Sequence, residues 1–344
     1  SVLAPASSTG ASSGASTTTY IAIGAGVGGA LLLIVIVMVA LRRHVRRKLP
    51  ADFATIIATL QLDAYGTVGS DGQTHAARPR EVARESVTIV KEIGKGNFGI
   101  VAKAQFAERR GRMVMPAYLV AVKQLHSTAS TEARNEILAE AAVMAQFEHE
   151  NVLRLVGVVT KGDPILVLIE YMEHGALQSY IKAHAGALTE QQRLGFAVDL
   201  ASGLAYLHAR GFIHRDVAAR NVLLSSSLTA KLADFGLTRE SQTDSDYYRS
   251  QGGAVPVRWT APEALEERKF SPASDTYAFG ITVYEIWTDA AMPFQGWTNQ
   301  RVWVNVSTGY RLERPAGCSE ALYERVLLPS WAFAAADRPR MEEL

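Results

Sequence analysis

A single cysteine, Cys318, in 344 residues excludes an internal disulfide and any cysteine-rich metal site, which suits a reducing compartment. Charge is absent from residues 1–41, and aromatics are absent from the first 19, which are mostly Ser, Thr, Ala and Gly. Such a stretch cannot bury enough apolar surface to fold, so residues 1–19 are expected to form a flexible extracellular stalk. The first residue is Ser1 and no basic region precedes the apolar run, so no intact secretory signal is expected and the natural protein is expected to continue upstream. The net charge of +1 singles out no partner, and no nucleic acid is expected. With 48% hydrophobic and 20% charged residues the chain has the composition of ordinary globular protein over most of its length, and it is long enough for two lobes.

Hydrophobicity is concentrated at residues 20–41, an uncharged run rich in Ile, Leu, Val and Gly. At ~1.5 Å per residue it reaches roughly 33 Å as a helix, enough to span a bilayer once. The cluster Arg42-Arg43-His44-Val45-Arg46-Arg47-Lys48 follows directly and is expected to stay cytoplasmic, placing the stalk outside and the rest of the chain inside. It is read either as a stop-transfer signal alone or as a contact for anionic lipid as well. Gly24 and Gly28 form a small-xxx-small pair through which two helices can approach, though glycine is also common in such spans without dimerisation. Residues 42–85 read as a juxtamembrane segment in which Phe53 to Leu60 is expected to make a turn or two of helix. Asn305-Val306-Ser307 fits a glycosylation triplet but falls on the cytoplasmic side and is disregarded.

The most informative stretch is His214-Arg215-Asp216-Val217-Ala218-Ala219-Arg220-Asn221, a polar loop between a helical pattern at 189–210 and the strand-like Val222-Leu223-Leu224. Burying so polar a loop is costly unless its groups find partners. An Asp followed five residues later by an Asn can hold a hydroxyl and a metal ion together, as phosphoryl transfer requires. Upstream, Gly94-Lys95-Gly96-Asn97-Phe98-Gly99-Ile100-Val101 lies between strand patterns at 87–92 and 100–106. Glycines there let backbone approach phosphate. A strand follows where a dinucleotide fold requires a helix, which excludes that reading. In the next strand pattern, 117–125, Lys123 is expected to point inward and to need a carboxylate. Glu140 is the first choice and Glu136 the rival, both on the helix pattern 131–147. Two further strand patterns, 151–160 and 164–170, complete a group of five, and Asp234-Phe235-Gly236 and Ala261-Pro262-Glu263 follow in order.

From about Glu81 to Leu344, these ordered motifs resemble the eukaryotic protein kinases. Ala218 stands where serine/threonine kinases usually carry a lysine and the cation has moved to Arg220, an arrangement similar to the tyrosine kinases. Pro256 to Glu263 resembles their substrate-docking segment. The implied fold is α+β and bilobal, a kinase domain at 86–344 behind a single transmembrane helix. Its five-stranded small lobe with one main helix covers 86–170, and its mainly helical large lobe 171–344. The segment near 147–159 looks like Eph receptors and the activation loop like the insulin-receptor group.

The resemblance also implies roles. ATP would meet Gly94, Lys95, Gly96, Asn97, Phe98, Gly99 and Val101 of the glycine-rich loop, then Ala121, Lys123 and Leu223, with Ile169 as gatekeeper and Glu170 and Met172 as hinge. Asp216 and Arg220 would handle the substrate phenol, the Lys123–Glu140 pair the α- and β-phosphates, and Asn221 and Asp234 two Mg²⁺ ions. His214 would pack under Phe235, Asp275 would brace the catalytic loop, and Arg338 would pair with Glu263. Phosphorylation is expected at Tyr247 first and Tyr248 second, and at Tyr65, which would recruit phosphotyrosine-binding adaptors or else be a solvent-exposed residue without a role. The function implied is a plasma-membrane, single-pass type I receptor that dimerises on activation and transfers the ATP γ-phosphate to protein tyrosines. The alternatives are a pseudokinase receptor acting as a docking scaffold and a dual-specificity kinase.

Overall fold

The computed structural model describes residues 53–60, 67–68, 74–96, 99–110, 113–126, 129–240, 248–249 and 256–344. The stalk, the apolar span, the basic cluster, Tyr65, Asn97, Phe98 and Tyr247 lie outside these residues. Among the described residues no helix is long and apolar enough to cross a membrane. The chain divides into two units, 1–50 and 51–344, and all that follows concerns the second.

Helix α1 (Phe53–Thr59) comes first, at the expected apolar patch, with Ile57 buried. Strands β1 (Val87–Gly96), β2 (Gly99–Phe106) and β3 (Tyr118–Leu125) then form an antiparallel meander. After helix α2 (Thr131–Met144) come β4 (Leu155–Val159) and β5 (Leu166–Glu170), giving a five-stranded sheet ordered β1-β2-β3-β5-β4. The period-two alternation of β3 sorts its side chains between two apolar clusters. Val120 and Val122 join Ala104, Phe106 and Leu168 on one side. Ala121 faces the other, with Ile137, Leu138 and Ala141 of α2. Lys123 shares the parity of Ala121 and so turns toward α2.

Helix α2 starts at Ser130, whose hydroxyl accepts from Ala133 N at 3.2 Å. The apolar spacing carries to Phe147, but the helix stops at Met144. The turn after it sends the Phe147 ring against Phe212 and Phe235, at centroid distances of 4.9 and 5.3 Å. Gln146, 6% exposed, donates to Ala77 O at 2.7 Å and accepts from Ala77 N at 2.9 Å, holding the segment before β1 against the end of α2. Helix α1 packs on α2 as well. Described parts of the chain before β1, Ile57 and Ala76 among them, are therefore part of the small lobe's core.

The large lobe is helical, with α3 (Leu177–Ala183) and α4 (Glu190–Ala209) leading into short strands β6 (Phe212–Ile213), β7 (Val222–Leu224) and β8 (Ala230–Leu232). A reciprocal cap between Thr189 and Gln192 starts α4, and Phe196, Leu200, Leu204 and Leu207 are buried as their spacing predicts. Strand β9 (Arg239–Glu240) pairs with β6, and β10 (Tyr248–Arg249) with β11 (Lys269–Phe270), which follows α5 (Pro262–Glu266). Helix α6 (Pro272–Trp287) runs through the middle of the lobe, buried over most of its length, and α7 (Asn299–Ser307) packs on α5. Each large apolar residue that α6 buries, such as Phe279, Ile281 or Ile286, contributes roughly 1.5–3 kcal/mol.

Candidate active site

A cavity of about 680 Å³ opens between the lobes, lined by Gly99 and Val101 of β2, Lys123 of β3, Glu136 and Glu140 of α2, and Asp216, Asp234 and Phe235 of the large lobe. Lys123 Nζ donates to Glu140 Oε1 at 2.5 Å. Glu136, one turn earlier, lines the same cavity without that contact. The pair is half-buried, with side-chain exposures of 29% and 12%, so solvent screens part of its attraction.

The glycine-rich loop is the turn between β1 and β2, with Gly96 paired to Gly99. Gly94 and Gly99 differ. A side chain on Gly94 would meet only Val101 Cβ, at 4.0 Å. One on Gly99 would lie 1.9 Å from the Gln124 carbonyl, so glycine is required there by the close passage of β3. This packing requirement stands beside the phosphate approach read from the sequence. Lys95 is exposed and pairs with Glu92 at 3.7 Å. Val101, Ala121, Ile169, Met172 and Leu223 all belong to one apolar cluster. Glu170 is committed elsewhere: its carboxylate accepts from Lys231 at 2.9 Å and from Arg154 N at 2.7 Å, and its own N–H donates to Arg154 O.

Across the cavity the catalytic loop is held in place from beneath. Asp275 of α6, 1% exposed, accepts from His214 N at 2.7 Å and Arg215 N at 2.9 Å, and its Oδ2 lies 3.0 Å from His208 Nε2. Those bonds hold Arg215 at φ +73, a conformation that costs a non-glycine residue energy. Asp216 accepts from Arg220, and Asn221 Nδ2 donates to Asp216 O at 2.8 Å and Oδ2 at 2.7 Å. With its nitrogen so engaged, Asn221 has its side-chain oxygen available for a cation. Asp234 is exposed at φ +63, and Phe235 beside it is wholly buried, its ring centroid 5.4 Å from that of His214 and tilted 57° to it. Asp234 in the cavity lining and Asn221, bonded to the lining residue Asp216, thus offer hard oxygen donors of the kind that suits Mg²⁺.

Farther down, Arg338 donates to both oxygens of Glu263 at 2.7 and 2.8 Å and to the carbonyls of Ala273, Ala332 and Phe333. Tyr277 is buried beneath Arg338, and burial pushes its hydroxyl up to about 12. Tyr248 is described only as backbone paired with Phe270. One residue of the site escaped sequence reading. Glu285 Oε2, in α6, accepts from Ala219 N at 3.0 Å and from Trp259 Nε1 at 2.8 Å. A signal was present: Asp275 and Glu285 are the two acidic residues in an otherwise uncharged helix, where charges are rarely buried without a task.

Residues 87–344 match the family model for protein tyrosine and serine/threonine kinases. The chain belongs to that family. Similar proteins include ephrin type-A receptor 5 of Gallus gallus, 40% identical over 266 residues, and ephrin type-A receptor 8 of Homo sapiens, 38% identical over 282. These alignments take in 77% and 81% of this chain but 26% and 27% of the relatives, so the chain spans about a quarter of their length. Within that span it is a protein-tyrosine kinase domain of the bilobal kinase fold, and kinases in general use ATP with Mg²⁺.

Proposed function

We propose that this chain is the membrane-spanning and catalytic part of a receptor protein-tyrosine kinase, which transfers the ATP γ-phosphate to protein tyrosine hydroxyls. The observation that carries the proposal is the placement of Arg220. Its guanidinium pairs with Asp216 and lies over the Trp259 ring of the docking segment, while Ala218, where serine/threonine kinases carry a lysine, is fully buried. A cation so placed, on the substrate side of the catalytic carboxylate, suits a long phenolic acceptor.

In this reading Asp216 orients the phenol and accepts its proton, and Arg220 balances the carboxylate and places the ring. Lys123, fixed by Glu140, holds the α- and β-phosphates, while backbone from Gly94 to Gly99 covers them. Val101, Ala121, Ile169, Met172 and Leu223 enclose the adenine. Asn221 and Asp234 would hold Mg²⁺, which neutralises phosphate charge when bound. Residues 20–41 would cross the plasma membrane once with the kinase domain cytoplasmic, supported by the uncharged run, the basic cluster after it and the receptor names of the relatives. Dimerisation would bring two activation loops together for phosphorylation at Tyr247 or Tyr248, and Tyr65, once phosphorylated, would recruit adaptors.

The test is incubation of the protein with Mg²⁺, ATP and matched tyrosine-only and serine-only peptides, with Asp216→Asn alongside. Phosphotyrosine is expected on the peptide and at Tyr247 or Tyr248, and the variant should lose about 10²–10⁴ in kcat. Transfer to the serine peptide at a comparable rate would overturn the assignment of acceptor.

A further inference from the structure

Glu285 is 1% exposed and its carboxyl is pushed above the usual carboxylate range by burial, so an ionised group here must be compensated by what it touches. Both contacts reach the same oxygen, Oε2, and come from opposite walls of the substrate site. Ala219 N belongs to the catalytic loop and Trp259 Nε1 to the docking segment. Trp259, 8% exposed, presents its ring face to Arg220, with the guanidinium carbon 4.6 Å from the centroid, and Arg220 completes the chain by pairing with Asp216.

An arginine side chain carries about 2 kcal/mol of rotamer entropy and does not hold one position on a single ion pair. A flat indole beneath it supplies the second constraint, provided that the indole itself cannot swing. Rotation of Trp259 would break its bond to Glu285, leaving the buried indole N–H unpaired and Oε2 with Ala219 N alone, which fixes the ring. The Ala219 bond sets the backbone height of the residue next to Arg220 from the same anchor. We infer that Glu285 is a positioning residue for the phosphoacceptor: it locks Trp259, and through it the Arg220 guanidinium, beside Asp216. The inference rests on the tyrosine-kinase reading and deepens it, since it names what holds the phenol-placing cation. Neither Glu285 nor Trp259 lines the interlobe cavity, so the effect should fall on the peptide and not on ATP.

The experiment is a double-mutant cycle of Glu285→Met, which keeps volume but removes the acceptor, with Trp259→Phe, which keeps an aromatic face but removes the donor. Glu285→Gln serves as the rescue, because its amide oxygen still accepts. Steady-state kinetics on a tyrosine peptide and on ATP are measured together with equilibrium binding of the same peptide. Each single variant should lose about tenfold in peptide kcat/KM with the KM for ATP within about twofold of wild type, the double variant should lose no more than either, and Glu285→Gln should recover most of the loss. Trp259→Phe keeps the inference falsifiable should Glu285→Met fold poorly. Losses that multiply in the double variant, or a KM for ATP that moves with the peptide's, would reduce Glu285 to a fold-supporting group and overturn the inference. An inactive wild type would overturn the kinase reading instead, while the cycle would still be read in peptide affinity.

Discussion

The two lobes hold their charged groups in opposite ways. In the small lobe, Lys123 and Glu140 meet through one contact across the space between a strand and a helix, and both keep partial access to solvent. In the large lobe, the catalytic loop hangs from buried carboxylates on one central helix. Asp275 holds two successive backbone N–H groups, and Glu285 holds a third together with an indole. A single screened contact can be made and broken at little cost, whereas a buried carboxylate with several donors cannot release them without leaving each unpaired. The fold thus puts the adjustable part of its chemistry in the small lobe and the fixed part in the large one. Gln146 and α1 extend the adjustable side, because they join the segment before β1 to the helix that carries Glu140.

The strongest way to break this contrast is Asp275→Ala. Stranding the N–H groups of His214 and Arg215 should cost about 3 kcal/mol, a fall of roughly 6–12 °C in melting temperature by calorimetry, with activity lost alongside. A shift under ~2 °C would show that the loop is held by something other than Asp275. Glu140→Gln should do the reverse. Peptide kcat/KM should fall about 10- to 100-fold, roughly 1.4–2.7 kcal/mol of barrier, while the melting temperature moves less than ~3 °C, as a screened ion pair worth at most ~1 kcal/mol allows. Equal thermal losses from the two variants would erase the distinction between the lobes.

The smallest expected effect sharpens the large-lobe side. Burial raises the Glu285 carboxyl above its ordinary 4.5, so the stability it contributes is fully present below about that pH and is lost as pH rises through the folded value. Glu285→Gln does not titrate. The melting temperature of the variant relative to wild type should therefore drift in its favour between pH 5 and pH 8, by ~2–4 °C for each ~1 kcal/mol of ionisation penalty. A difference that stays flat or drifts the other way would mean that the Ala219 and Trp259 bonds and the Arg220 charge outweigh burial.

Much of this molecule was written in local order along the chain. The alternation at 118–125 and the three-to-four spacing at 190–209 determined strand β3 and helix α4, because each pattern has one secondary structure that buries its apolar side. The order of motifs from Gly94 to Glu263 determined the family, and the uncharged run at 20–41 determined the expectation of a membrane span. Sequence alone put Glu140 first for Lys123 by resemblance and kept Glu136 as its rival, since the two lie on nearly the same face and the docking of α2 on the sheet is what brings Glu140 to the lysine. It did not show the packing need for glycine at Gly99, because the carbonyl that excludes a side chain there belongs to Gln124 on another strand. It missed Glu285, whose two donors come from segments 66 and 26 residues away in the chain. Helices and strands follow from periodicity, which each segment carries within itself. Which buried carboxylate meets which donor depends on how those segments pack, and that is decided only when the whole domain closes.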